Sequence, residues 1–130
     1  MGPRRPRAVV LDSGALIAFE KNDRKVRTLI ELALAQGAPL WTAGGVVAQV
    51  WRDGSRQVRI ARLLGSGLVQ VQPLDLEEAQ ATGALCGEAG TKDVVDASVV
   101  LLARQQAATI VTSDPDDLMR IDPSARLVAC

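Results

Sequence analysis

Three aspartates stand at positions where carboxylates can do chemistry. Asp12 and Asp114 each follow a short apolar run, and Asp96 lies in an otherwise apolar segment. An unpaired charge inside a fold costs several kcal/mol, so a carboxylate in such surroundings is expected to be neutralised, paired or bound to a metal ion. Converging carboxylates favour Mg²⁺ or Mn²⁺, hard cations that keep coordination positions open for water and phosphate oxygens. These residues therefore predict metal-assisted hydrolysis of a phosphodiester bond.

The composition removes other kinds of chemistry. There is no histidine, which excludes Ser/His/Asp triads, Cys/His dyads and paired-histidine ribonucleases. Cys86 and Cys130 are far apart and lack CxxC spacing, so neither a zinc site nor a disulfide framework is predicted. The formal net charge is +0, so any nucleic-acid surface has to be local. Because no apolar run reaches the roughly 20 residues that a membrane span needs, we predict a cytoplasmic protein with no membrane partner.

Apolar runs and helical spacing alternate along the chain, which predicts one domain over residues 1–130 with a parallel sheet covered by helices. Aromatic residues are scarce, so the core must consist of Val, Leu, Ile and Ala, as in an α/β protein. Strands are predicted at 8–11, 39–42, 68–71 and 109–112, with an edge strand at 126–129. Helices are predicted after residue 14, at 26–34, 46–51, 58–64, 76–85 and 94–106, and from 118 onwards. Residues 1–7 hold three arginines, and we predict a flexible basic tail there.

The first and fourth predicted strands end in Asp12 and Asp114, at the carboxyl edge of the sheet. In open α/β sheets, ligands bind at that edge where the strand order reverses. If the two strands are neighbours, the two carboxylates face each other across the crevice.

Each aspartate also has a purely structural explanation. Asp12 can be a helix N-cap, the segment from Asp114 to Asp117 is a good turn and helix start, and Asp96 can be a solvated side chain.

Three segments resemble the PIN-domain family, particularly the VapC-like toxins of bacterial toxin–antitoxin pairs: VLDSGAL at 10–16, DASVV at 96–100 and IVTSD at 110–114. The resemblance extends over residues 8–130 and depends on the order and spacing of these segments. It implies a three-layer α/β/α fold with a central parallel sheet of four to five strands. It also implies a Mg²⁺- or Mn²⁺-dependent endoribonuclease, with RNA as substrate, a homodimer, and an antitoxin whose C-terminal segment covers the site.

The same resemblance assigns the site residues. It places the metal ligands and catalytic carboxylates at Asp12, Asp96 and Asp114. Ser13 and Thr112 would support these acids through hydroxyl contacts. A further acid often follows the aspartate of the fourth strand, and here Asp117 or Asp116 can serve as the additional ligand.

One position departs from the family pattern. The family usually has a glutamate on the helix after the second strand, and this sequence has Gln49 there. An amide oxygen still accepts a hydrogen bond from a metal-bound water, but it brings no charge. Metal affinity is expected to suffer unless another acid substitutes. Asp53 lies one helical turn further on and Asp93 precedes the late helix, and the sequence does not choose between them.

A row of arginines is the candidate RNA contact, because the guanidinium fork matches phosphate geometry. Its members are Arg52, Arg56, Arg59 and Arg62. The other interpretation of this row is a solvated helix face.

Three functional hypotheses follow. The first is a metal-dependent endoribonuclease acting as the toxin of a toxin–antitoxin pair. The second is a catalytically weakened PIN domain that binds RNA or a protein partner, which Gln49 favours. The third is a flavodoxin-like phosphoacceptor module, since aspartates at strand ends also suit a receiver. No lysine follows a later strand, which counts against the third, because Lys92 precedes a helix instead.

Overall fold

The computed structural model describes residues 6–130, in which five parallel strands form one sheet. The strands are β1 (Val9–Leu11), β2 (Leu40–Ala43), β3 (Val69–Gln72), β4 (Thr109–Thr112) and β5 (Leu127–Ala129). The helices are α1 (Ser13–Glu20), α2 (Arg24–Ala35), α3 (Gly44–Val50), α4 (Val58–Gly65), α5 (Leu76–Ala89), α6 (Val94–Gln106) and α7 (Pro115–Ile121). The predicted strands are confirmed to within one residue at each end.

The sheet has the order β3-β2-β1-β4-β5, so its direction of growth reverses between β1 and β4. Helix α1 contacts α2 and α4, whereas α6 contacts α5 and α7, which gives helical layers on the two faces of the sheet. The predicted three-layer α/β/α fold is therefore confirmed, with five strands. Helix α3 contacts both α1 and α6, at the carboxyl edge of the sheet.

The core is aliphatic, as the composition predicts. Its largest fully buried side chains include Leu11 and Val10 on β1, Ile110 on β4, and Val99 and Leu102 on α6. Burying an aliphatic side chain of this size contributes about 1.5–3 kcal/mol relative to leaving it exposed. The two strands that end in the aspartates are therefore the most firmly held elements of the sheet.

Helices α5 and α7 extend by three or more residues beyond a predicted end. Helix α5 continues to Ala89 and ends at Gly90, whose φ of 70° is the left-handed conformation that favours glycine after a helix. Gly83 and Gly87 lie inside it, and no close contact requires glycine at either position, because a Cβ atom there would meet open space. Helix α7 begins at Pro115, which suits the first helical position because its missing N–H has no partner there.

The predicted basic tail lies mostly outside the described residues, because only positions 6 and 7 of it are covered. Arg7 is exposed, and its Nη1 donates a hydrogen bond to the carbonyl oxygen of Ala107 at 3.2 Å. That carbonyl follows the C-terminus of α6, where a cation is favoured by the helix dipole. Among the helices of residues 6–130, none has the length and apolar character needed to cross a membrane.

The N-terminus of α4 depends on a side chain from another helix. Its N-cap residue, Gln57, makes no side-chain capping bond. The Oε2 atom of Glu20, at the end of α1, accepts a hydrogen bond from the backbone N–H of Ile60 at 2.8 Å. In return, Nη1 of Arg59 donates to the carbonyl oxygen of Glu20 at 3.4 Å. This exchange fastens the end of α1 to the start of α4.

We expect Glu20→Ala to lower the free energy of unfolding by about 1 kcal/mol, the usual cost of losing an N-terminal helix cap. Urea denaturation followed by circular dichroism measures this change. Glu20→Gln, which keeps an acceptor oxygen, should lose less. Glu31→Ala is the control, because the exposed Glu31 only forms a 3.8 Å surface pair with Arg27. Equal losses in Glu20→Ala and Glu31→Ala would contradict the capping role.

Candidate active site

Pairing between β1 and β4 brings two of the predicted acids to one edge of the sheet. The register places Leu11 beside Val111, so Asp12 and Asp114 follow neighbouring strand ends. The backbone N–H of Asp12 continues the ladder by donating to the carbonyl oxygen of Val111 at 3.1 Å. This is also where the strand order reverses, the position at which open α/β sheets bind ligands.

Asp12 is almost completely buried, with only 4% of its surface exposed. Its Oδ1 accepts a hydrogen bond from the N–H of Ser13 at 2.7 Å, and its Oδ2 accepts one from the hydroxyl of Thr112 at 2.8 Å. The Thr112 hydroxyl oxygen in turn accepts a bond from the N–H of Asp114 at 3.0 Å. One threonine thus connects the two aspartates, which agrees with the predicted supporting role of this residue.

Asp12 is the N-cap residue of α1, as its purely structural explanation predicts. Capping alone does not account for its surroundings, since an N-cap usually stays near solvent and bonds an N–H two or three residues later. Here the carboxylate also accepts a bond from the neighbouring strand and is buried. The side chain therefore does more than begin a helix.

The loops after β1 and β4 are in close contact. A Cβ atom placed on Gly14 would lie 2.6 Å from Cβ of Ser113, nearer than side chains can approach, and would also overlap the Ser113 hydroxyl. Only glycine permits this approach. The contact holds the residue before Asp114 against the start of α1, and so fixes the separation of the two acidic loops.

Asp96 reaches the same edge of the sheet from the first turn of α6. Asp93 is the N-cap of this helix, and its Oδ1 accepts a hydrogen bond from the N–H of Asp96 at 2.9 Å. Both side chains line a cavity of about 370 Å³, together with Asp117 from α7. Asp96 is half-buried. Asp96 is therefore less exposed than a fully solvated side chain, and its role as a metal ligand stays a prediction.

Burial and neighbouring acids raise the proton affinity of Asp96 and Asp12. Burial raises the pKa of Asp96 to about 7, with further increases from Asp93, Asp12 and Asp117. Burial also raises the pKa of Asp12, and the negative charges of Asp114 and Asp93 add to the increase. The hydrogen bonds from Ser13 and Thr112 act in the opposite direction without cancelling it.

A second buried aspartate shows how a satisfied carboxylate differs. Asp122 accepts hydrogen bonds from the backbone N–H and the hydroxyl of Ser124, and pairs with Nε of Arg104 at 2.9 Å. These hydrogen bonds, the hydroxyl of Ser124 first, lower the pKa of Asp122. Asp12 has no comparable cation. A buried acid without a counter-charge beside further acids is typical of a functional site.

The donor set fits a hard divalent cation. Within residues 6–130, none of the ion pairs involves Asp12, Asp93, Asp96 or Asp114. Mg²⁺ and Mn²⁺ prefer carboxylate oxygens, and their charge would remove the mutual repulsion of these acids. In the same part of the chain, no three acidic or cysteine side chains are already at ligand spacing. The ligand set therefore stays a prediction.

Gln49 lies at the edge of this site. Its Oε1 accepts a hydrogen bond from the hydroxyl of Ser13 at 2.6 Å, which connects it to the residue after Asp12. The structure distinguishes between Asp53 and Asp93, the two acids that could supply the charge missing at Gln49. Asp53 is exposed, and hydrogen bonds from the hydroxyl and the N–H of Ser55 lower its pKa. Asp93 is the one placed beside Asp96 and Asp12.

The other predicted site residues also differ in whether they lie at the acidic cavity. Asp116 and Asp117 are both exposed, but Asp117 lines the acidic cavity and its charge raises the pKa of Asp96, whereas Asp116 does not line the cavity. Nη1 of Arg52 donates to the carbonyl oxygens of Ala48 and Trp51. These two hydrogen bonds cap the C-terminal end of α3. The acidic cavity is lined by none of the predicted RNA-contact arginines, which are Arg52, Arg56 in the following turn and Arg59 on α4. Contact between these arginines and RNA stays a prediction.

Sequence reasoning missed Arg120, which lines the acidic cavity from α7. Its Nη1 pairs with Oδ1 of Asp117 at 3.2 Å. The three-residue spacing from Asp117 was the available signal, because such pairs share one face of a helix.

The fold has been seen in solved structures. VapBC2 from Rickettsia felis, bound to a DNA fragment from its promoter, aligns with a TM-score of 0.70 at 16% identity, over 95% of this chain and 98% of that chain. DNA-bound VapBC from Salmonella typhimurium aligns with a TM-score of 0.67 at 16% identity, over 95% and 98%. VapC20 from Mycobacterium tuberculosis, a toxin that cleaves the sarcin-ricin loop, aligns with a TM-score of 0.56 at 18% identity, over 79% and 87%.

Protein-family models and curated proteins give no match to this sequence. At the identities of the solved structures, the likeness concerns the fold. The PIN-domain fold expected from the three sequence segments is thus confirmed over nearly the whole chain.

We expect the stability of the metal-free protein to decrease as the pH rises through 7. Asp96 has a pKa of about 7 in the folded state against 3.8 as its ordinary value, so between these values the folded state binds a proton that the unfolded state lacks. Its contribution to stability is complete below pH 3.8 and is lost as the pH passes 7. Thermal melting from pH 5 to 8 in chelator measures this dependence.

Asp96→Asn should flatten that profile and stabilise the protein at pH 8, because the amide carries no charge. Asp53→Asn is the control and should leave the profile unchanged in this range, because the pKa of Asp53 is lowered. A profile that rises with pH in the wild-type protein would contradict the assignment.

Proposed function

We propose that this chain is a metal-dependent endoribonuclease that acts as the toxin of a toxin–antitoxin pair. The observation that supports this most directly is the buried Asp12, which pairs with no cation within residues 6–130 and lies close enough to Asp93, Asp96 and Asp114 for their charges to interact. Its location at the reversal of strand order, in a fold shared with VapC20, supports the same conclusion.

Asp12, Asp96 and Asp114 would hold Mg²⁺ or Mn²⁺, with Asp117 as the additional acid. When bound, such an ion supplies a water of lowered pKa and neutralises charge on the phosphate. Asp93 replaces the charge that Gln49 lacks, because Asp93 lies beside Asp96, whereas Asp53 does not.

The protein side chains orient this site. Thr112 holds Asp12 through its hydroxyl and Asp114 through its backbone N–H. Ser13 holds Gln49, whose amide remains able to donate a hydrogen bond to a phosphate oxygen. Burial of Asp12 keeps bulk water away from one side of the crevice, which strengthens electrostatic interactions within it.

The proposed partners are an RNA substrate, a cognate antitoxin and a second copy of this chain. The antitoxin is supported by the VapBC structures that share the fold. A short neighbouring gene for a small DNA-binding protein would be the expected source of this antitoxin.

We expect Asp96→Asn to reduce metal-dependent RNA cleavage on the order of a hundredfold or more, the usual effect of removing one group that stabilises the transition state. The measurement is cleavage of a structured RNA with Mn²⁺, with and without chelator. Asp53→Asn is the matched control, because it removes the same charge outside the site, and it should cleave at the wild-type rate.

A melting temperature for Asp96→Asn at or above the wild-type value excludes unfolding as the cause of the loss. Unchanged metal-dependent cleavage by Asp96→Asn would overturn the assignment of this residue. Absence of cleavage in the wild-type protein under all metal conditions would overturn the enzymatic function.

The second candidate function is a catalytically weakened PIN domain that binds RNA or protein. It is favoured by the neutral Gln49, whose oxygen is occupied by the Ser13 hydroxyl. We expect Gln49→Glu to change cleavage little in a protein that is already active, because Asp93 supplies the missing charge. A wild-type protein without activity that gains cleavage in Gln49→Glu would establish the second candidate instead.

A further inference from the structure

We propose that Arg120 binds a phosphate of the RNA substrate at the acidic cavity. The inference rests on the proposed function and names a residue that recognises the substrate. The cavity is formed by the end of α5, the first turn of α6 and the exposed face of α7, and has a volume of about 370 Å³. Within the described part of the chain, Arg120 is the single basic residue among those that line it.

The position of Arg120 suits a polyanion that approaches an acidic centre. Asp93 and Asp96 repel phosphate, so an RNA strand entering the cavity needs a cation on the protein beside them. A guanidinium group meets this need well, because its fork can donate two parallel hydrogen bonds to phosphate oxygens. Arg52 and Arg59 cannot replace it here, since neither of them lines the cavity.

The present partner of Arg120 holds it only weakly. Its Nη1 lies 3.2 Å from Oδ1 of Asp117, and the Arg120 side chain is 79% exposed. A surface pair of this kind contributes less than about 1 kcal/mol, so the guanidinium can turn to a phosphate at small cost.

The chain contains a matched control for this residue. Arg56 pairs with Asp53 at the same three-residue spacing, at 3.9 Å, and its side chain is 88% exposed. The two arginines therefore resemble each other in charge, exposure and partner. They differ in location, because Arg56 lies outside the acidic cavity.

The test compares RNA affinity in Arg120→Ala and Arg56→Ala, both in an Asp96→Asn background with Mn²⁺ so that the probe is not consumed. Fluorescence anisotropy of a labelled single-stranded RNA gives the dissociation constant over a range of salt concentrations. We expect Arg120→Ala to bind about tenfold more weakly and to show a salt dependence shallower by about 0.7, the value for one lost phosphate contact on a single strand. Arg56→Ala removes an arginine of the same charge and similar exposure outside the cavity, and it should weaken binding less than Arg120→Ala does.

Two further variants make the result specific. Arg120→Lys should keep the salt dependence, because it retains the charge, and Arg120→Gln should behave like Arg120→Ala although it retains much of the side-chain length. Melting temperatures check that each variant is folded.

The outcomes separate this inference from the proposed function. If the background protein binds RNA and Arg120→Ala binds as Arg56→Ala does, the role of Arg120 is overturned and the ribonuclease assignment stands. If the wild-type protein cleaves no RNA under any metal condition, the proposed function itself is overturned together with this inference.

Discussion

Burying the carboxylate of Asp12 beside other carboxylates is the constraint on which the rest of the site depends. Taking a charge out of water is costly, and the cost rises when the neighbours carry the same sign. Within residues 6–130, Asp12 accepts hydrogen bonds from two neutral donors and pairs with no cation, whereas Asp122 pairs with Arg104. In that part of the chain Asp12 is therefore a buried acid without a counter-charge, which is typical of a functional site.

Rigid elements maintain this arrangement against the repulsion. The paired central strands fix the positions from which Asp12 and Asp114 project, and Thr112 bonds to both. The contact of Gly14 with Ser113 sets the distance between their loops. On α6, the capping bond of Asp93 holds the first turn that carries Asp96. Packing of the aliphatic core thus provides the energy that keeps the acids near one another.

The strands, the helices and the two strand-end aspartates were predictable from the sequence, because apolar periodicity is local and parallel strands bring their carboxyl ends together. The positions of Asp53 and Asp93 relative to the other acids were not, since they depend on Ser55 binding one carboxylate in a local turn and on α6 presenting the other. The contribution of Glu20 to α4 and the place of Arg120 at the cavity also escaped prediction. Both depend on packing between helices, and the three-residue spacing from Asp117 indicates the ion pair of Arg120 but not the cavity that it lines.

The most direct test of the central claim is calorimetric titration of the wild-type protein with Mn²⁺ at pH 7, repeated in buffers of different ionisation enthalpy. Burial and the neighbouring acids raise the pKa of Asp96 to about 7, so part of this carboxyl is protonated at this pH, and ligation requires the deprotonated form. The account therefore predicts binding that releases protons. Absence of binding, or binding whose heat is the same in every buffer, would contradict it.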